Sequence, residues 1–196
     1  WEYRATENVV GTIEGTNPDK IVVVGGHYDA WWCQGSLDNA VGAATVLGIA
    51  KYFHDNNIMP QYTVKFVALG GEEYGAIGSY GYCNNRWSTY GDCELKHTEY
   101  MINVDQIAQS DPGSVFEMRS NYQDTLSEVL SVASRTHYTA RTGYQTGSWT
   151  FPAPDGTVPR SDDAMFAGVY FDIWPYNRWE GVVRTVSFNK NPYVYY

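Results

Sequence analysis

The chain has 196 residues, of which 43% are hydrophobic and 18% charged, so it is long and apolar enough to fold rather than remain disordered. Its formal net charge is -9, and an acidic surface argues against nucleic acid or an anionic membrane as a partner. The longest apolar runs, residues 21–24 and 64–69, are far too short to span a bilayer. We therefore expect one domain over residues 1–196 with no membrane span.

Composition also bears on where the protein works. The chain starts at Trp1 without an initiator Met or a signal peptide and stops abruptly, so we expect a segment of a longer precursor, with possible flanking domains. Its 17 Tyr and only 13 Lys plus Arg are typical of secreted proteins and favour an extracellular or cell-surface location. Cys83 and Cys93 flank a polar stretch, which is compatible with a local disulfide or with two free thiols.

The first half of the chain alternates short apolar runs with segments of helical spacing. Residues 8–13 and 21–24 are β-rich, and the second run is continuous, as in a strand buried on both faces. Residues 38–53 have helical spacing, with an acidic side chain at the start, where it suits the helix dipole. Residues 62–69 are predicted as the next strand and residues 76–82 as a glycine-interrupted helix.

The second half continues the alternation. Residues 100–104 are predicted as a third buried strand, 114–118 as a candidate strand and 122–134 as a helix. Residues 143–160, rich in Gly, Thr, Ser and Pro, are predicted as a long loop, and residues 169–173 as a late strand. Strands that alternate with helices predict an α/β domain with a mainly parallel sheet.

Polar clusters follow three of the predicted strands. His27 and Asp29 follow the first, Glu72 and Glu73 the second, and Asp105 the third. Because ligands of such sheets bind beyond the carboxyl ends of the strands, these side chains are expected at one edge. Any one of them alone would more often be a cap or a solvated loop residue. Their combination, each time at a strand end, predicts a metal site.

The residue types suit a centre with two metal ions. Imidazole and carboxylate are zinc ligands, and two ions about 3.5–4 Å apart can polarise a carbonyl and activate a shared water. Of the adjacent residues Glu72 and Glu73, one carboxylate can bind a metal ion while the other transfers a proton between water and the leaving amine. Asp29 lies within reach of His27 and can orient its imidazole.

These motifs resemble the co-catalytic zinc exopeptidases of the bacterial leucyl aminopeptidase and glutamate carboxypeptidase type. The matching segments are Gly-His-Tyr-Asp at 26–29, Gly-Ser-Leu-Asp-Asn-Ala-Val-Gly at 35–42, Gly-Glu-Glu-Tyr-Gly at 71–75 and Met-Ile-Asn-Val-Asp at 101–105. A weaker match at Arg160, Ser161 and Asp162 is expected to help shape the substrate pocket, with a loop salt bridge as the alternative. The resemblance implies a three-layer α/β/α sandwich with a mixed, mostly parallel sheet.

The resemblance also implies roles. His27 and Asp105 would bind one zinc, Glu73 the other, Asp38 would bridge them, and Glu72 would be the general base. The implied function is a zinc-dependent exopeptidase, foremost an aminopeptidase, that cleaves peptide or small aminoacyl substrates with metal-activated water. A carboxypeptidase or glutaminyl cyclase of the same fold, or a non-catalytic surface or assembly domain that retains the scaffold, are the alternatives.

The histidines depart from the family pattern. The family supplies a last zinc-binding His near the C-terminus, but no His follows His137 here. We expect His54, His97 and His137 to be surface or structural residues, which leaves the second zinc site incomplete. Either the natural chain carries that His beyond Tyr196, or this is a one-metal or inactive variant.

The loop after Asp29 carries two tryptophans. We expect Trp31, Trp32 or both to pack beneath the loop, with an apolar substrate wall as the alternative. Cys33, on the same loop, is expected to be an inert thiol.

Overall fold

The computed structural model describes residues 5–88, 90–107, 116–135, 146–148, 161–168 and 182–190. Its strands are β1 (Val9–Ile13), β2 (Asn17–His27), β3 (Tyr62–Leu69), β4 (Thr98–Val104), β5 (Phe116–Ser120), β6 (Thr146–Ser148) and β7 (Arg184–Lys190). Its helices are α1 (Val41–Asp55), α2 (Ile77–Arg86), α3 (Glu94–His97), α4 (Gln123–Arg135) and α5 (Asp163–Phe166).

All the described strands join in one mixed sheet, in the order β1-β3-β2-β4-β7-β5-β6. Strand β2 runs parallel to β3 and β4, and β7 runs parallel to β4, whereas β1 and β5 are antiparallel to their central neighbours. His27 lies opposite Leu69 across the β2–β3 pair. The carboxyl ends of the four central strands therefore meet at one edge of the sheet, as predicted for β2, β3 and β4.

Helices cover both faces of the sheet. Val23, Val67 and Met101 pack with residues of α2, α3 and α5 on one face. Val24 and Phe66, with the opposite strand parity, pack against α1 on the other face, and α4 covers β5 and β7 there. This is the three-layer α/β/α sandwich with a mostly parallel sheet that the resemblance implied. Of the described helices, none is long and apolar enough to cross a membrane.

The helix predicted over residues 38–53 begins later than expected. Helix α1 starts at Val41, and Asp38 lies in the preceding turn, Ser36–Ala40, with non-helical φ -119° and ψ 92°. The predicted start of the helix at Asp38 is therefore wrong by three residues, and Asp38 precedes the helix. The turn carries Asp38 away from the helix and toward the sheet edge.

The second half of the sheet differs from expectation. Strand β7, inserted between β4 and β5, was not predicted, because only two of its seven residues, Val186 and Phe188, are apolar. On its other face Thr185 and Ser187 are buried polar residues. Strand β6 interrupts the predicted loop 143–160, whose other residues lie outside the described ones, as does the predicted strand 169–173.

The cysteines are free thiols in this structure. Helix α2 continues through Cys83 to Arg86, so the polar stretch between Cys83 and Cys93 begins inside this helix, and Cys83 is fully buried in the core. Cys93 is partly buried and Cys33 is exposed. The structure thus favours two separate thiols at Cys83 and Cys93 over the disulfide.

Candidate metal centre

Three side chains converge at the carboxyl edge of the sheet. His27 is the last residue of β2, Asp105 directly follows β4, and Asp38 comes from the turn before α1. Nε2 of His27 lies 3.1 Å from Oδ1 of Asp38 and 3.4 Å from Oδ1 of Asp105. One ligand atom from each of the three lies within 4.8 Å of the others.

These three residues fit a zinc ion. Nε2 of His27 and Oδ1 of Asp105 are buried and, within the described part of the chain, have no hydrogen-bond partner. Burying a polar atom without a hydrogen-bond partner costs folding free energy, so these two atoms indicate a binding site for a ligand. Ligand atoms about 2.0–2.1 Å from a tetrahedral zinc lie about 3.3 Å apart. The observed separations of 3.1 and 3.4 Å match that spacing.

The two glutamates after β3 lie at different places in the centre. Oε2 of Glu72 is 4.0 Å from Nε2 of His27, and the side chain is 13% exposed. Glu73 does not belong to the three-residue group. Burial, and then the negative charge of Asp38, raise the pKa of Glu73, while the backbone N–H of Trp31 acts in the opposite direction. The backbone N–H of Glu73, 3.2 Å from the Asp29 carboxylate, places this residue beside the three-residue group.

Asp29 connects two of the strand ends. Its carboxylate accepts backbone hydrogen bonds from Gly71 at 2.9 Å, Glu72 at 3.0 Å and Glu73 at 3.2 Å. Nδ1 of His27 lies 3.1 Å from the backbone oxygen of Asp29 and 3.5 Å from its carboxylate. Asp29 therefore holds the glutamate turn with its side chain and meets His27 mainly through its backbone. The hydrogen bonds to the turn were not foreseen from sequence.

Asn39 ties the Asp38 turn to the end of β4, a contact that sequence reasoning missed. Its Nδ2 donates to the backbone oxygen of Val104 at 2.8 Å. Its Oδ1 accepts from the backbone N–H groups of Gly42 at 3.1 Å and Gln106 at 3.0 Å. Asn39 is fully buried. The signal available in the sequence was an Asn directly after a metal-type Asp and just before a glycine-containing helix.

Two residues of the segment before α5, Ser161 and Asp162, are buried near the centre. Asp162 is fully buried, and neither carboxylate oxygen has a hydrogen-bond partner among the described residues. Burial raises the pKa of Asp162 to about 7, and burial together with the charge of Asp162 raises the pKa of Glu72 to about 9. Ser161 accepts a hydrogen bond from Asn103 at 2.8 Å. Ser161 and Asp162 are thus buried, while Arg160 lies outside the described residues, and their role in shaping a substrate pocket stays a prediction.

The centre is strongly acidic. Burial opposes protonation of His27, yet the neighbouring carboxylates of Asp105, Asp29 and Asp38 raise its pKa above the ordinary value. Without a cation, a proton on the imidazole is the positive charge that these carboxylates stabilise. A divalent cation can take the place of that proton, because metal ligation uses the neutral imidazole and ionised carboxylates.

His54 and His97 take surface positions, as predicted. The exposed His54 contacts Asp55, and His97 contacts Asp92 and the backbone oxygen of Asp19. His137 lies outside the described residues.

The tryptophans on the loop after Asp29 are not packed beneath it. Trp31 is 49% exposed and Trp32 is 83% exposed, so that expectation was wrong. The alternative, an apolar wall beside the centre, stays open.

Comparison with known proteins places these features in a family. The sequence profile of Peptidase family M28 matches residues 8–195. Transferrin receptor protein 2 from Homo sapiens is 27% identical over 157 residues, which cover 78% of this chain and 19% of that protein. A probable glutamate carboxypeptidase from Arthroderma benhamiae is 34% identical over 80 residues, which cover 39% of this chain and 11% of that protein. The chain thus spans less than one fifth of the length of these two relatives.

Solved structures share the fold. The zinc aminopeptidase BSAP from Bacillus subtilis matches with a TM-score of 0.67 at 21% sequence identity, covering 95% of this chain and 41% of that one.

Proposed function

Because the chain belongs to peptidase family M28, we propose that it carries the catalytic centre of a zinc-dependent exopeptidase that releases N-terminal residues. The supporting observation is the convergence of His27, Asp38 and Asp105 within 4.8 Å at one sheet edge, with Glu72 4.0 Å from His27. Zinc bound there would polarise the scissile carbonyl and make a water molecule nucleophilic at neutral pH.

Glu72 is the proposed general base. Its carboxylate takes a proton from the attacking water and delivers it to the nitrogen of the leaving amine. In the metal-free chain, burial and Asp162 raise the pKa of Glu72 to about 9, whereas a nearby cation favours the ionised form. These opposing effects suit a group that must accept and then donate a proton in one cycle.

The remaining ligands follow from position. His27 and Asp105 would hold one zinc, and Asp38 would offer its second oxygen to another ion near Glu73. Support comes from the backbone hydrogen bond of Glu73 to the Asp29 carboxylate, which holds Glu73 at the same sheet edge as Asp38. Asp29 would fix the geometry by holding His27 and the turn that carries both glutamates.

The substitution Glu72→Gln tests the proposal. We expect the variant to keep its zinc content, because Glu72 is not assigned as a ligand, and to lose about 10²–10⁴-fold in kcat on aminoacyl anilides. Glu128→Gln, at an exposed position on α4, is the control and should retain full activity. Undiminished hydrolysis by Glu72→Gln would refute the assigned role.

Blocked substrates separate the related activities. An aminopeptidase cleaves carboxyl-blocked peptides and not amino-blocked ones, a carboxypeptidase does the reverse, and a glutaminyl cyclase releases ammonia from N-terminal glutamine. A non-catalytic scaffold is the second candidate, because His27 is the one imidazole that the described residues bring to the centre. Failure to take up zinc in elemental analysis would favour that candidate.

A further inference from the structure

Gln106, which directly follows the proposed ligand Asp105, has an unusual backbone conformation. Its φ is 51°, in the left-handed region that residues other than glycine rarely adopt. Its backbone N–H donates a hydrogen bond to Oδ1 of Asn39 at 3.0 Å. Non-glycine residues persist in this region where surrounding contacts impose it, and they are concentrated at functional sites. The side chain of Gln106 returns to the metal centre, where it contacts Asp38.

The side chain of Gln106 binds one particular oxygen of Asp38. Nε2 of Gln106 donates a hydrogen bond to Oδ2 of Asp38 at 2.8 Å. The other oxygen, Oδ1, lies 3.1 Å from Nε2 of His27. The two oxygens of Asp38 therefore have different partners, because Oδ1 faces the imidazole of His27 and Oδ2 faces an amide donor.

Asp38 is the member of the three-residue group whose orientation depends most on such a contact. Its side chain is 39% exposed, against 1% for His27 and 10% for Asp105, so packing constrains it least. It also lies in an irregular turn, Ser36–Ala40, rather than at a strand end. A hydrogen bond to Oδ2 fixes the rotation of the carboxylate and thereby keeps Oδ1 directed at His27.

A bridging role for Asp38 requires both of its oxygens. One ion would bind Oδ1 beside His27, and a second ion would bind Oδ2. The hydrogen bond from Gln106 occupies a lone pair of Oδ2 and directs the positive end of an N–H dipole at the same oxygen. A second cation at Oδ2 is repelled by that positive end, so the contact opposes bridging and favours coordination through Oδ1 alone.

We propose that Gln106 is a positioning residue that makes Asp38 a one-oxygen ligand of the zinc held by His27 and Asp105, in competition with a second metal ion. This inference rests on the proposed zinc-dependent function. The first ion binds with the hydrogen bond between Gln106 and Asp38 intact, whereas a second ion binds only when the amide leaves Oδ2. Occupancy of the second position is thus limited by this hydrogen bond.

The opposite orientation of the Gln106 amide would give the residue a different role. With the two ends of the amide exchanged, Oε1 would lie beside Oδ2 of Asp38, and an amide oxygen can be a metal ligand. Two acceptors in contact are stabilised only by a shared cation, whereas the donor orientation satisfies Oδ2 without one. The two roles predict opposite effects on the second ion when the amide is removed.

Zinc titration of the full chain carrying Gln106→Met tests the positioning role. Methionine is also unbranched and of similar length, but it has no amide group. Competition with a chromophoric chelator measures the first dissociation constant, and calorimetric titration of the chain loaded with one zinc measures the second. We expect the first ion to bind about tenfold more weakly, because Asp38 loses its orienting partner, and the second about tenfold more tightly, because its competitor is absent. Gln61→Met, the same substitution at an exposed position, is the control and should change neither constant.

A second variant guards against a loss of folding. Asparagine adopts positive φ more readily than most residues, so Gln106→Asn suits the backbone at this position. Its amide is one methylene too short to reach Oδ2 of Asp38 at hydrogen-bond distance, and we expect the same pair of opposite shifts. A variant that merely folds less well would bind both ions more weakly, so the opposite signs distinguish positioning from a general structural effect.

Hydrolysis of aminoacyl anilides, measured on the same samples, separates this proposal from the proposed function. If the two constants shift in opposite directions but no anilide is cleaved, the peptidase function fails and the role of Gln106 stands. If both constants weaken, or neither changes, while the unsubstituted chain cleaves anilides, the role of Gln106 is refuted and the function stands. A second constant that weakens alone would identify the Gln106 amide as a ligand and refute the competition. A chain that binds no zinc refutes both.

Discussion

Asn39 is the residue whose removal should separate the metal ligands most directly. It makes three hydrogen bonds, two buried ones with Val104 and Gly42 and a partly buried one with Gln106. Its chain neighbour Asp38 is one proposed metal ligand. A second proposed metal ligand, Asp105, lies between Val104 and Gln106 in the chain. Truncation to alanine removes the cross-link between the turn and the end of β4, so both carboxylates lose their fixed spacing from His27.

The size of the effect follows from the lost contacts. One hydrogen bond contributes about 0.5–1.5 kcal/mol net, so loss of three predicts a decrease of about 2–4 kcal/mol in the free energy of unfolding. Residues that orient metal ligands typically change metal affinity about 10–100-fold, and we expect Asn39→Ala to weaken zinc binding by that amount. Asn39→Asp should be at least as damaging at neutral pH, because it replaces the donor to Val104 with a buried negative charge.

Two assays check this prediction. Urea unfolding in the presence of EDTA measures stability without the contribution of bound metal, and competition with a chromophoric chelator measures zinc affinity. Asn56→Ala is the matched control, since Asn56 is exposed and makes one side-chain hydrogen bond, to the Tyr52 backbone. If Asn39→Ala binds zinc as tightly as the unsubstituted chain and unfolds within about 0.5 kcal/mol of it, the argument for the cross-link is wrong.

Three further predictions concern packing, protonation and thiols. Gly42→Ala places a methyl group against the Asn39 side chain and the Val104 backbone and should cost about 1–3 kcal/mol, whereas Gly48→Ala, in open space on the same helix, should stabilise by about 0.5–1 kcal/mol. Burial raises the pKa of Asp163 from 3.8 to about 7. The folded chain thus holds a proton that the unfolded chain releases, so this group makes stability fall as pH rises from about 4 to about 7. Asp163→Asn should remove that slope in urea unfolding. Ellman's reagent should modify exposed Cys33 in the native chain, and buried Cys83 only after unfolding.

A specific experimental result would contradict each of these three predictions. Equal stability of the two glycine variants would mean that the turn before α1 can move aside. A stability difference between the unsubstituted chain and Asp163→Asn that is the same at pH 5 and pH 8 would place the folded-state pKa of Asp163 below that interval. A single reactive thiol per unfolded, unreduced chain would show that Cys83 and Cys93 form a disulfide.

The sequence by itself determined the fold class and the residues that meet at the sheet edge. Continuous apolar runs that end in glycines identify buried parallel strands, and the carboxyl ends of such strands must share an edge. His27 and Asp105 could therefore be placed near each other before any coordinates. Local sequence patterns were sufficient to predict this proximity, because the parallel direction of the strands, and not side-chain packing, brings the two positions together.

Tertiary structure decided the rest. Strand β7 has too few apolar residues to be recognised, and it belongs to the sheet because its neighbours bury its backbone and its polar face. The local sequence around Asn39 and Asp162 does not specify their partners, since Asn39 binds the Val104 backbone 65 residues away and the charge of Asp162 acts on Glu72, 90 residues away. The exposure of Trp31 likewise depends on which elements approach its loop, which periodicity along one chain does not specify.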